Sequence, residues 1–236
     1  MALKDGDFVE IEYNAWNAVD NSLILSTDKE KAKEAGIYDE KSRYGPVLFV
    51  LGSKGNIKGL DRELHNINVG ETKKFTLKPE DAFGERDESL MRVMPLSEFR
   101  KRDINPYPGM NIDIDNIPAI VKSVNSGRVV VDANHPFAGR EIIYEVKVVK
   151  LLASDDEKVK ALAETYNLNV SKIEYSDDKV KLSFGNDVGK DANYFVNKAT
   201  LVASIFNYFD KVNKVYVEEE YARDKKKEQN EESKEK

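Results

Sequence analysis

The chain contains no cysteine and only two histidines, His65 and His135, which stand far apart in sequence. Without thiols there are no disulfides, no thiolate nucleophile and no thiolate metal centre. Two distant histidines with no soft third ligand fall short of the donor set that zinc or nickel prefers, so no metal site is expected. No apolar run approaches the length of a membrane-spanning helix, and the opening MALKDGDFVEIEY lacks the apolar centre of a secretory signal. A cytoplasmic protein with no membrane partner is the expectation. Acidic residues number 43 against 37 basic ones, a formal charge of −6, which speaks against non-specific nucleic-acid binding. Nothing in the chain suggests a phosphate cradle, and no cofactor is expected.

What is present is a globular composition, 40% hydrophobic and 34% charged over 236 residues, enough for two or three units with well-solvated surfaces. DFVEIEYNAW alternates, with Val9, Ile11 and Tyr13 on one face and Glu10 and Glu12 on the other, as a half-buried strand does. In STDKEKAKEAG, Thr27 or Asp28 caps a short helix that Gly36 ends. GPVLFVLG reads as a buried strand. Ile57, Leu60, Leu64 and Ile67 recur at helical spacing in a polar background. ETKKFTLKPED is strand into turn, and EIIYEVKVVKL places Ile142, Tyr144, Val146 and Val148 on one face of a long strand. From Arg86 to about Ala133 the texture changes, with MNIDIDN and GRVVVDA as short strands and PLSEF as a turn of helix. After Ser154 come an amphipathic helix, a hairpin (NVSKIEYSDDKVKLSF), a second helix over 190–210 and a last strand, before a charged end.

Five stretches in this order carry a resemblance: VEIEYNAW, STDKEKA, GPVLFVLGSKGNIKGLDREL, VGETKKFTLKPEDAFGE and NHPFAGREIIYEVKVVKL. Together they are similar to an FKBP-type peptidyl-prolyl cis-trans isomerase. The segment between DAFGE and NHPFAG, with its MRVMPLSEF and PGM, resembles the insert-in-flap domain of the SlyD-like branch. The resemblance covers about the first 152 residues and leaves the C-terminal third to its own reading, as in the long archaeal type of this branch. It implies an α+β fold, an FKBP-like curved antiparallel sheet wrapped on a short helix, with an inserted small mostly-β domain and a C-terminal α/β domain. The expected boundaries are 1–85 with 134–152 for the isomerase domain, 86–133 for the insert, 153–222 for the C-terminal domain and 223–236 for a disordered charged tail.

The resemblance also implies a site. Tyr13, Val47, Ile57, Leu60, Phe83, Phe137 and Tyr144 would wall a pocket for the proline ring. Ile57 would offer a backbone N–H to the substrate carbonyl, and Leu60 would form the floor. Asp28 would pair with Tyr13, although as a residue type at that position it is equally a helix N-cap. The chain departs from the family's common residues at four places. Leu60 stands where tryptophan is frequent, Phe83 where tyrosine is, Tyr144 where phenylalanine is, and Val47 where an aromatic is. The family's phenol at Phe83, a hydrogen-bond donor, is therefore missing. The His- and Cys-rich metal tail of bacterial SlyD proteins has no counterpart here.

Three of the four methionines, Met91, Met94 and Met110, lie in the insert with Phe99. Fewer than 50 residues bury apolar surface incompletely, and flexible methionines on an exposed surface suit many unrelated sequences. These four residues are the expected contacts for unfolded or partly folded chains with X-Pro bonds. In the helix over 190–210, Phe195, Leu201, Val202, Ile205, Phe206 and Phe209 exceed a narrow stripe, which leaves open a homodimer through the C-terminal domain or a self-contained fold. Two functions stand side by side: an isomerase whose insert delivers unfolded chains, or a holdase-type chaperone with a weakly active or inactive FKBP-like pocket.

Overall fold

The computed structural model describes residues 3–114, 117–185 and 192–220. In chain order the elements are β1 (Phe8–Asn17), β2 (Leu23–Ser26), α1 (Lys29–Glu34), β3 (Val47–Val50), α2 (Lys58–Leu64) and β4 (Thr72–Leu77). A short 3-10 turn over Pro79–Asp81 and another over Glu88–Leu90 lead into β5 (Met91–Pro95), α3 (Leu96–Lys101), β6 (Asn111–Ile114), β7 (Ile117–Asn125) and β8 (Arg128–Asp132). The chain continues with β9 (Ile142–Leu152), α4 (Asp155–Thr165), β10 (Val170–Ser176), β11 (Lys179–Phe184), α5 (Ala192–Tyr208) and β12 (Lys214–Glu219). The architecture mixes helices with largely antiparallel sheets. One sheet runs β2-β1-β9-β4 with β3 also on β1, a second runs β5-β8-β7-β6, and a third runs β10-β11-β12. The tail expected to be disordered, 223–236, lies outside the described residues.

Two compact units divide the chain. The first holds residues 12–45 and 54–147 with the first three, and the second holds 4–11, 46–53 and 148–236. In the first, alternation along β9 buries Ile142, Tyr144 and Val146, and β4 pairs with it antiparallel from Thr72↔Lys147 to Leu77↔Ile142. Helix α1 begins at Asp28, whose carboxylate accepts the N–H groups of Glu30 and Lys31, and Gly36 follows its end at φ +70°. Helix α2 is shorter than the Ile57–Ile67 stripe. Ile57 is its N-cap, and Ile67, buried, sits past its end in a tight turn whose N–H donates to the Leu64 carbonyl. The insert keeps its own four-stranded sheet and its own core of Phe99, Val121, Val129 and Val131.

The second unit has one continuous core. Val159, Leu162, Leu168, Val180, Leu182, Phe184, Leu201 and Ile205 pack with Phe8, Val50 and Leu152, so the ends of three strands of the first sheet share a core with the C-terminal elements. The Phe8 ring meets Tyr208 edge-on at 5.4 Å and Phe209 at 6.0 Å. Helix α4 opens on a capping box in which Ser154 and Glu157 satisfy each other's backbone N–H. The Lys150 ammonium, with the Ser154 and Ala153 amides, holds the Glu157 carboxyl down to about 2. Strand β12 lies parallel beside β11, α5 turns Leu201 and Ile205 inward, and Phe209, just past the end of α5, is buried in the same core. Phe195 and Phe206 on the same helix remain exposed, as their excess over a single buried stripe requires.

Candidate functional site

Register decides which aromatic rings meet. Phe75 of β4 stands directly opposite Tyr144 of β9, and their rings stack at 6.2 Å. Tyr13 of β1 comes to 6.1 Å from Tyr144. The backbone of Tyr13 is held from both sides, because its N–H donates to the Thr27 hydroxyl and its carbonyl accepts from both the hydroxyl and the N–H of Thr27. Burial raises the Tyr13 hydroxyl above its usual range, and burial first, then the neighbouring Tyr13, raises Tyr144. Both phenols are therefore neutral at any physiological pH, and this cluster carries no charge. Phe75 was not among the residues the sequence singled out, although the alternation of KKFTL places it on the face of Leu77.

Helix α2 is pressed against the turn that follows β4. A Cβ on Gly59 would sit 2.5 Å from Leu77 Cδ2 and 2.9 Å from the Asp81 carbonyl oxygen, so only glycine fits. Three residues on, the Arg62 guanidinium grips the Asp81 carboxylate through two hydrogen bonds, of 3.1 and 2.8 Å. Leu60 and Leu64 are buried beneath. At the N-terminal end the backbone N–H of Ile57 has no partner among the described residues; Ile57 is the N-cap, one of the positions whose donors a helix leaves unpaired. Gly59→Ala is expected to destabilise the protein by about 1–3 kcal/mol, the usual cost of forcing a methyl into filled space. Chemical denaturation of the two proteins measures this, and an unchanged midpoint would show that α2 has room to shift.

The turn itself closes on Gly84, at φ +82°, whose N–H donates to the Pro79 carbonyl at 2.8 Å. The Gly84 carbonyl in turn accepts the N–H of Gly139 at 2.8 Å, tying this turn to the loop that enters β9. Three rings meet there. Phe83 lies parallel to His135 at 4.5 Å and tilted against Phe137 at 5.4 Å. His135 does occupy a turn, as its place before Pro136 suggests, but its ring is also one wall of this cluster, which sequence spacing does not disclose.

Other expected site residues go elsewhere. Asp28 makes no hydrogen bond to Tyr13; its carboxylate is committed to the cap of α1, and it lines a polar cavity of about 490 Å³ with Glu12, Asn14, Tyr44 and Glu145. Glu12 and Asn14 alternate with Tyr13 along β1, so this cavity opens on the opposite face of the strand. Val47, on β3 of the second unit, is half-buried opposite Ile11. In the insert, Phe99 is a core residue with 5% exposure rather than a surface contact, and Met94 and Met110 pack on that core half-buried. Met91 is half-buried on β5. The apolar side chains the insert does leave in water are Leu90, Val93, Tyr107 and Ile117.

Where the insert joins, both crossing strands are laced together. Asp132 is buried and bound by Arg86, while the Asn134 side chain donates to Asp132 and to the Asp87 carbonyl and accepts the Asp87 N–H. Burial alone would raise the Asp132 carboxyl, but the Asn134 hydrogen bonds and the charges of Arg86 and Lys122 outweigh it and hold the group below its usual range. Beside this seam a largely apolar groove of about 400 Å³ runs from Ile112, Pro118 and Ile120 of the insert to His135 and Pro136.

The family model described as FKBP-type peptidyl-prolyl cis-trans isomerase matches residues 1–99, and one described as FKBP26, IF domain, matches residues 92–137. The short-type peptidyl-prolyl cis-trans isomerase of Methanocaldococcus jannaschii is 34% identical over 155 residues, which are 66% of this chain and 98% of that protein. The FKBP-type peptidyl-prolyl cis-trans isomerase SlyD of Vibrio cholerae is 30% identical over 146 residues, 60% of this chain and 72% of its own. Among solved structures, the N-terminal domain of FKBP42 from Arabidopsis thaliana aligns over 64% of this chain and 77% of its own at 15% identity. Its TM-score of 0.34 is too low to bear on the fold. With a relative at this identity spanned almost end to end, the chain belongs to the FKBP-type peptidyl-prolyl cis-trans isomerase family.

Proposed function

We propose that X-Pro peptide bonds are twisted between cis and trans on the face that carries Tyr13, Ile57, Leu60, Phe83, Phe137 and Tyr144, and that the insert holds the unfolded chain presenting them. Rotation costs the amide its resonance, a barrier of about 18–20 kcal/mol, while the two end states of an X-Pro bond lie close in energy. No bond has to break. A twisted amide carries less charge separation than a planar one, so neutral apolar walls that exclude water disfavour the planar form relative to the twisted one. The neutral Tyr13–Tyr144 pair and the uncharged Phe83 and Phe137 rings supply such walls. The observation that carries the reading is the unpartnered N–H of Ile57 at the N-cap of the helix that carries buried Leu60, a donor for a substrate carbonyl.

The insert's part rests on the apolar side chains it leaves exposed, Leu90, Val93, Tyr107 and Ile117, of which Leu90 and Ile117 border one small hollow. Half-buried Met91, Met94 and Met110 add side chains that adapt to varied sequences. Amide chemical-shift mapping with a proline tetrapeptide tests the assignment of the face. Expected shifts fall at Ile57, Gly84 and Phe137. Shifts confined to Glu12, Asn14 and Glu145, around the polar cavity, would place binding on the wrong face and end the proposal.

A further inference from the structure

The insert joins the rest of its unit through two chain crossings, one at Arg86 and Asp87 and the other at Asp132 to Asn134. Backbone pairing between β5 and β8 reaches back only to Met91↔Asp132, and the Ala133 N–H to Leu90 carbonyl bond adds one further rung. Beyond that rung a side chain takes over. The Asn134 carboxamide donates to the Asp87 carbonyl and accepts the Asp87 N–H, both at 2.8 Å, which is the reciprocal pair a facing backbone would make. The next tie is the Gly139 N–H to the Gly84 carbonyl, at the edge of the aromatic turn. Asp132, with 6% exposure, closes the seam from within by accepting the backbone and side-chain N–H groups of Asn134. Its carboxylate also meets a cation from each side, Arg86 before the insert and Lys122 inside it, the latter at 3.9 Å.

Two crossings left unpaired would each swivel about their own φ and ψ, and a chain bound on the insert would then be spread over many directions. Tied by rungs from Met91 to Gly84, they turn as one ribbon. Asn134 has 8% exposure and both of its carboxamide hydrogens are used inside the seam, on Asp87 and Asp132, so it has no donor left for a substrate. We propose that Asn134 is a positioning residue for long substrates: by carrying the ladder across the junction it fixes the direction in which the insert presents a bound chain to the prolyl face. The role presupposes the division of labour proposed above, in which the insert holds the chain and the face twists its X-Pro bonds. A tether of fixed direction gives a higher effective concentration at its target than a swivelling one of the same length. Asn134 thereby sets how far long chains are favoured over short peptides.

The test separates delivery from turnover. Asn134→Ala is expected to cut acceleration of a proline-limited refolding reaction roughly fivefold, while kcat/KM on a proline tetrapeptide stays within about twofold of the parent's. A substitution that merely loosened the fold would lower both together. Nitrogen-15 relaxation reads the junction itself. In the parent, amides of the insert core, Val121 and Val129, are expected to report the same rotational correlation time as Val146 of β9, and in Asn134→Ala a shorter one. Asp132→Asn keeps an acceptor for Asn134 but removes the charge that Arg86 and Lys122 share. It is expected to move both readouts in the same direction, and it carries the test should Asn134→Ala fail to fold. Unchanged refolding in the folded variants, an equal loss on the tetrapeptide, or an insert that tumbles in the variants as it does in the parent overturns the assignment. A chain lacking residues 92–131, run alongside, tells the two levels apart. If it keeps full refolding acceleration, the insert's part is wrong and the inference falls with it; if it loses that acceleration while Asn134→Ala does not, only the positioning role is refuted.

Discussion

Excising residues 92–131 and joining Met91 to Asp132 through a short glycine turn is expected to leave turnover of a proline tetrapeptide within about threefold of the intact chain's. The same excision is expected to cut acceleration of a proline-limited protein refolding reaction by roughly a hundredfold. The two residues are Cα partners across β5 and β8, so a short link spans them. The Ala133 N–H to Leu90 carbonyl bond and the Arg86, Asp87, Asp132 and Asn134 lace all stay in place. The prolyl face therefore keeps its geometry while the Val93, Tyr107 and Ile117 surface is lost. A tetrapeptide is too short to use that surface, whereas a refolding chain held on it meets the site at the effective concentration of a linked module, in the millimolar range for short flexible connections. Equal loss of both activities would mean that the insert is part of the catalytic framework. No loss of either would leave the insert without a part in folding.

How much of this was legible in the sequence varies with the kind of contact. Strands whose two faces see different solvents announce themselves, as β1 and β9 do through Tyr13 and Tyr144 with their alternating neighbours. Strands β5 and β7 did not, because MRVMP and IPAIVKSVN lack clean alternation. Both include a proline, and β7 shifts register between Val121 and Ser123. The apolar stripe from Ile57 to Ile67 told which side faces inward but not where the helix stops, since a tight turn continues the same face. Asp28 was open between cap and site, and the N–H groups of Glu30 and Lys31 claim it. Two features were beyond reach because they depend on distant packing. One is the joint core of Phe8, Val50 and Leu152 with the C-terminal elements, and the other is the His135 ring on Phe83.

Phe83→Ala carries the second large effect. Phe83 is half-buried, stacks on His135 and tilts on Phe137, yet lies in a turn fixed by Pro79, Gly84 and the Arg62–Asp81 pair, none of which the substitution touches. The fold is therefore expected to survive it. What is lost is the apolar area a proline ring and the twisting amide would cover, about 1.5–3 kcal/mol for a phenylalanine side chain. At about 1.4 kcal/mol per factor of ten, that becomes roughly a ten- to hundredfold fall in kcat/KM. A holdase with an idle pocket would show neither the starting turnover nor the fall, and its suppression of aggregation would be unaffected by the change.

The decisive measurement is kcat/KM for cis-trans conversion of a proline tetrapeptide by the intact chain and by Phe83→Ala, with circular dichroism confirming equal folding. A rate that rises in proportion to enzyme and drops at least tenfold in the variant is the predicted result. A wild-type chain that leaves the uncatalysed rate unchanged, or a folded variant that turns over as fast as the parent, would contradict catalysis by these uncharged aromatic walls.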